Sequence, residues 1–196
     1  MKKFVTFEGI DGSGKSTVSK RVYEELKRRG YSAIYTFEPT DGEIGKCAKK
    51  CIDKGVDPIV IALLFVADRI EHVRKIKEWL KEGYIVLCDR YVDSTYAYQS
   101  VQLEGQMEDP LEWLRQLSNF VIKPDRTFLF DIDPEEAISR IKGRKTRFEN
   151  VEFLKKVRKK YIDIATEKRF KILDARKGIE DLVEECVRDI MENDGD

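Results

Sequence analysis

Apolar positions along the chain follow two rhythms, and the two alternate. Residues 2–8 mix aromatic and β-branched side chains and stop at Gly9, which predicts a strand. Val18, Val22 and Leu26 then recur at spacings of four, which predicts a helix over 14–29 closed by Gly30. Residues 32–37 read as a second strand, broken by Pro39. Asp57-Pro58 reads as an N-cap with a first-turn proline, opening a long helix that Gly83 stops. Residues 84–88 form a short apolar strand, and Asp109-Pro110 starts another helix. Residues 127–132 read as a strand, Asp133-Pro134 caps the helix behind it, and 171–173 belong to a last short strand. A closing helix is predicted over 178–191.

Strand runs this short and this continuously apolar are expected where helices cover both faces of a sheet. The pattern predicts an α/β fold of three layers, with a mostly parallel sheet of about five strands. A length of 196 residues suits one domain, and no linker rich in Gly, Ser or Pro divides it.

Composition narrows the partners. Lys and Arg number 37 against 37 Asp and Glu, so the basic excess of a protein that lives on nucleic acid polymers or acidic membranes is missing. No run approaches the roughly 18 apolar residues of a membrane span. The opening apolar run is too short for a signal peptide, so a cytoplasmic protein is expected. The four cysteines include no CxxC pair, and His72 stands alone, so no structural metal is expected. Any anion site must come from a local cluster.

The sharpest such cluster is Gly9-Ile10-Asp11-Gly12-Ser13-Gly14-Lys15-Ser16, followed by Thr17. It satisfies GxxxxGK[ST] between a predicted strand and a predicted helix, the context a phosphate-binding loop needs. Glycines let the backbone aim its N–H groups inward, and the helix N-terminus adds donors. Lys15 suits the β- and γ-phosphates of a nucleotide, and the Ser16 hydroxyl suits a Mg2+ shell. This identifies triphosphate binding and leaves the acceptor open.

Three further clusters bear on the acceptor. Phe65 and Arg69 share a helix face, so a ring and a guanidinium could hold a flat base and its phosphate; a core Phe beside a solvated Arg is the plainer reading. Asp89-Arg90-Tyr91 follows an apolar strand, where α/β sites gather. Asp89 there suits magnesium-bound water and Arg90 suits phosphate charge, a buried ion pair being the alternative. The run from Arg140 through Arg144 to Arg147 is the densest basic segment, either a solvated charge run or a lid, at about 140–149, that closes over the γ-phosphate and expels water. A switch-type GTPase reading lacks an NKxD segment, and Asp89-Arg90-Tyr91 is not the DxxG expected of a switch loop.

In five ordered blocks the chain resembles the thymidylate kinases of the nucleoside monophosphate kinase group: 7–17, Leu64-Phe65 with Asp68-Arg69 and His72, Asp89-Arg90-Tyr91 with Ser94 and Ala97-Tyr98-Gln99, Pro124-Asp125 with 128–131, and 147–149. The resemblance implies transfer of the γ-phosphoryl of ATP to dTMP. Asp11 would contact the 3′-hydroxyl, Phe65 would stack on thymine, and Arg69 and Arg90 would hold the acceptor phosphate. Tyr98 and Gln99 would line the acceptor pocket. Arg140, Arg144 and Arg147 would supply lid charge, Asp89 would serve the magnesium or acceptor side, and the protein would be a homodimer. A kinase of another nucleoside monophosphate is the alternative. One block departs from the pattern: Phe37 stands nearest the place of an arginine that helps bind the acceptor phosphate, and the next basic residue is Lys46.

Overall fold

The computed structural model describes residues 2–141 and 150–192. Strands β1 (Lys3–Gly9), β2 (Ala33–Phe37), β3 (Ile85–Asp89), β4 (Arg126–Asp131) and β5 (Phe170–Asp174) form one sheet in the order β2-β3-β1-β4-β5. Every pairing is parallel. Helices α1 (Lys15–Arg28), α2 (Glu43–Asp53), α3 (Pro58–Lys81), α4 (Val92–Gln102), α5 (Pro110–Leu117), α6 (Pro134–Arg140), α7 (Val151–Ile164) and α8 (Ile179–Glu192) complete the chain. The expected α/β architecture is therefore present.

Local chemistry starts the helices where the sequence predicts. Asp57, Asp109 and Asp133 each accept a first-turn backbone N–H, from Ile59, Glu112 and Glu135, at 2.8, 3.0 and 2.9 Å. A proline follows each, where its missing N–H costs nothing. Beyond α2, where the four-residue spacing of Cys47 and Cys51 already points to a helix, two helices escape the periodicity reading. The α4 side chains are buried on nearly every side, so no polar face marks it. The stripe of α7, Leu154, Val157, Tyr161 and Ile164, lies beyond the basic run.

Register places the site. Phe7 of β1 is level with Asp89 of β3, and Asp89 with Phe37 of β2. The strand order reverses at β1, and α/β ligand sites form outside the carboxyl ends at such a point. Along β1, Val5 and Phe7 enter the larger core, while Phe4 packs with Val73, Ile76, Val86, Cys88 and Tyr91 on the other face. Glu8 continues the Phe4 face at the strand's end, and it is wholly buried.

The start of α2 is pressed against the loop after β2. A Cβ on Gly45 would lie 2.2 Å from the Thr40 carbonyl oxygen. Gly45→Ala should therefore push α2 off this loop and lower stability by about 1–3 kcal/mol, measured by urea unfolding; an unchanged midpoint would show that the contact is soft.

Candidate active site

The loop between β1 and α1 curls because its glycines adopt backbone angles that other residues avoid. Gly12 has φ 82°, and a Cβ there would come within 2.1 Å of the Ala137 carbonyl oxygen in α6. Ser13 is buried, and its Oγ has no hydrogen-bond partner. The Ile10 side chain turns into the core, so only its backbone belongs to the loop. Lys15 begins α1 and is nearly dry. Burial, then the charge of Arg90, lower its pKa to about 8, against the pull of Asp11, Asp89 and Glu8.

The turn after β3 carries the second group. Asp89 is buried; its Oδ2 accepts from the Tyr35 hydroxyl at 3.3 Å, and its Oδ1 has no partner. Arg90 follows with φ 66°, a left-handed backbone on a long side chain. Its Nη2 donates to Asp11 Oδ1. Its Nη1 faces the Gly9 carbonyl at 3.1 Å and the Ser94 hydroxyl at 3.0 Å. Tyr98 closes the group: its ring lies 5.1 Å from the guanidinium carbon, and its hydroxyl donates to Asp11 Oδ2 at 3.0 Å. Burial alone would raise the Asp11 pKa, but Arg90 and Lys15 outweigh it and hold the carboxyl below its ordinary value.

Arg69 lies deeper. It is 1% exposed, and Glu38, with both carboxylate oxygens engaged, is its counter-ion. Arg69 Nε donates to Glu38 at 2.7 Å and Nη2 to Thr95 at 2.8 Å, while Nη1 has no partner. His72, expected not to be a metal ligand, lies against Glu38 at 2.9 Å and Thr36 at 2.7 Å. No group of three His, Cys, Asp or Glu suited to a metal occurs among the described residues.

Two cavities meet at this chemistry. One, of about 410 Å³, is lined by Phe65, Arg69, Arg90, Tyr98 and Gln99. The other, of about 660 Å³, is lined by Gly14, Lys15, Ser16, Thr17 and Arg140. Asp11 and Gly12 line both. Thus Phe65 and Arg69 are brought together, Arg90 joins them, and Arg140 faces the loop side. Arg144 and Arg147, with most of the expected lid, lie outside the described residues. Sequence reasoning passed over Pro39, Ile52 and Thr95 in the first cavity and Ala175 and Lys177 in the second. Ala175 and Lys177 follow β5, at the same carboxyl edge as the loop, so strand order was the signal that could have found them.

The departure at Phe37 is not made good from α2. Lys49 lies 5.1 Å from the centre of the Phe37 ring, and Lys46 faces solvent beside Glu43. Among the described residues, Arg69 and Arg90 are the arginines that line the first cavity.

Comparison with known proteins agrees with this geometry. The sequence model of the Thymidylate kinase family matches residues 7–186. A probable thymidylate kinase of Sulfurisphaera tokodaii is 45% identical over 190 residues, covering 96% of this chain and 95% of that protein. Those of Methanosarcina acetivorans and Methanocaldococcus jannaschii are 42% and 41% identical, over 97% and 94% of this chain and 96% and 93% of their own lengths. A P-loop open to one cavity, an arginine pair in the next and full-length similarity lead to one conclusion: the chain belongs to the thymidylate kinase family.

Proposed function

We propose that this chain transfers the γ-phosphoryl group of ATP to dTMP, giving dTDP and ADP. The observation that carries the reading is the shared wall. A donor cavity and an acceptor cavity meet at Asp11 and Gly12, as transfer between two bound nucleotides requires. A nucleotide switch needs only the first. The family assignment favours dTMP over another nucleoside monophosphate.

ATP phosphates lie along the loop from Gly9 to Thr17, with Lys15 as their buried cation. Arg140 borders the donor side. Phe65 stacks on the acceptor base, and Gln99 and Tyr98 bound its pocket. Arg90, beside both the loop and the acceptor cavity, is placed for the acceptor phosphate and for transition-state charge. Arg69 supplies the free Nη1–H to the acceptor. Asp11 exchanges part of its contact with Arg90 for the 3′-hydroxyl.

Residues present suit magnesium. Mg2+ is commonly held by one or two carboxylates together with substrate phosphates, and the unpartnered Asp89 Oδ1 and the Ser16 hydroxyl offer that set. Bound there, the ion would neutralise phosphate charge. The attacking phosphate oxygen of dTMP is already anionic, so no strong base is called for; this chain's residues align, neutralise and exclude water. Arg144 and Arg147 would add charge from a lid at about 140–149.

A homodimer belongs to the same proposal. Val60, Leu63 and Ile70 are exposed at helical spacings on α3, an apolar row that a second copy would cover. No described helix is long and apolar enough to cross a membrane, and a cytoplasmic location stands as part of the proposal.

An ADP-release assay with ATP and magnesium, offered dTMP, dUMP, UMP, CMP, AMP and GMP in parallel, should give its highest rate on dTMP. Turnover of another acceptor in its place would move the assignment to that molecule. Lys15→Ala should cost roughly 100-fold or more in kcat while the melting curve stays cooperative; near-normal turnover would refute the donor site. Lys15 must be charged to meet phosphate, and in the free enzyme it is half neutral at about pH 8. ATP binding should take up about half a proton at pH 8 and almost none from Lys15 at pH 6, read by calorimetry in buffers of different ionisation enthalpy. Affinity should weaken as pH rises above 8. Equal uptake by Lys15→Ala would exclude this lysine as the source.

A further inference from the structure

Glu8 has a place in neither cavity, yet it binds two hydroxyls that face Arg90. It is wholly buried at the end of β1. Its Oε1 accepts the backbone N–H of Tyr91 at 2.7 Å and of Ser94 at 3.3 Å. The N-cap residue of α4, Tyr91, provides no side-chain cap, so a carboxylate from another strand caps this helix. Its Oε2 accepts from the Ser94 hydroxyl at 2.6 Å and the Tyr161 hydroxyl at 3.0 Å. Those same two oxygens face Arg90 Nη1, at 3.0 and 3.4 Å.

The proton count gives this arrangement a direction. An ionised carboxylate only accepts, so both hydroxyl protons turn toward Glu8. Both hydroxyl lone pairs are then left for the guanidinium. Ser94 and Tyr161 oxygens are also 2.9 Å apart, close enough to bond each other when Glu8 does not hold both protons. In that state one hydroxyl oxygen accepts from the other, and that lone pair is lost to Arg90.

We propose that Glu8 is a positioning residue for phosphoryl transfer: through the hydroxyls of Ser94 and Tyr161, and through the turn it caps, it fixes the Arg90 guanidinium between the two cavities. The proposal rests on the reading of Arg90 as the arginine that meets the transferring phosphate. Placement of the charge is expensive, which argues against a merely structural role. Burial, and then the neighbouring Asp93, raise the Glu8 pKa to about 7. A carboxyl whose pKa is raised on folding contributes a stability cost that develops as pH rises from 4.5 to about 7 and is complete above it. A neutral residue of the same shape would fill the site without that cost.

The test is Glu8→Gln, which keeps an acceptor for the Tyr91 and Ser94 N–H groups but presents an amide to the two hydroxyls. Steady-state kinetics at pH 8 should show kcat lower by about tenfold to a hundredfold, with KM for ATP within about twofold of the parent enzyme. In an Arg90→Ala background, which is itself slow, Glu8→Gln should have no further effect, because the two act as one unit. A kcat for Glu8→Gln within twofold of the parent, or an effect that multiplies fully with Arg90→Ala, overturns the proposal. Arg90→Ala with undiminished kcat would instead remove the reading of Arg90 itself. Should Glu8→Gln not fold, the Ser94→Ala/Tyr161→Phe double variant leaves the cap intact and breaks both bridges. The same loss in kcat then supports the proposal, and parent-like kcat overturns it.

Discussion

A charged guanidinium has to stand, mostly buried, beside the wall that two cavities share, and much of the site is arranged around that requirement. Arg90 reaches this wall because β3 is level with β1 in the sheet, so the turn after one strand opens beside the loop after the other. Its left-handed backbone aims the side chain across to Gly9 and Asp11. Strained residues persist where their surroundings over-determine them. Here Phe7 accepts the Arg90 N–H at 3.0 Å, Glu8 accepts the next one, and Tyr98 lies under the guanidinium.

The charges behind Arg90 form a relay of compensations. Arg169, at the edge of β5, grips Asp93 with two bonds of 2.8 Å. Asp93 repels Glu8, Glu8 faces Arg90 through two hydroxyls, and Arg90 pairs with Asp11 beside Lys15. Buried pairs of this kind add little net stability over apolar residues of equal shape, but breaking one strands its partner. The lowered pKa of Lys15 and the raised pKa of Glu8 have a common origin: each ion is held dry near a like charge, Lys15 at the loop cavity and Glu8 behind Arg90. Electrostatic groups already oriented in a dry site need not reorganise during the reaction, and that is what this costly arrangement supplies.

What was legible in the sequence is what local physics dictates. The three Asp-Pro starts need only a side-chain oxygen and a proline ring, and all three cap as read. Gly12 belongs to a motif whose backbone shape is local. Glu8 was harder, because in a run of Phe, Val and Thr it reads as the last residue of a strand. The available signal was a carboxylate in a strand apolar on both faces, where an ion needs a partner. Its partners lie 86 and 153 residues away in sequence. Distance along the chain hid Lys177 from the donor cavity in the same way. Helix α4 was hidden by the opposite circumstance: burial on nearly all sides erases the period that reveals a helix.

Phe37 shows how the acceptor side settles its charge without the expected arginine. The ring sits at the end of β2 with a surface lysine above it, and Lys46 does not turn inward. Arg69 does not simply replace the lost charge, because Glu38 already neutralises it in a buried pair. It has its unpartnered Nη1 group to give, at a position four residues from Phe65. Arg90 differs in that its partner, Asp11, is 33% exposed at the side chain and lines both cavities, so an incoming ligand can compete for that contact. Among the described arginines of the acceptor cavity, Arg90 is therefore the one whose charge a phosphate can draw upon. If phosphate competes for that one pair, the accuracy of transfer falls to the contacts that still hold the arginine, and those converge on Ser94, Tyr161 and Glu8.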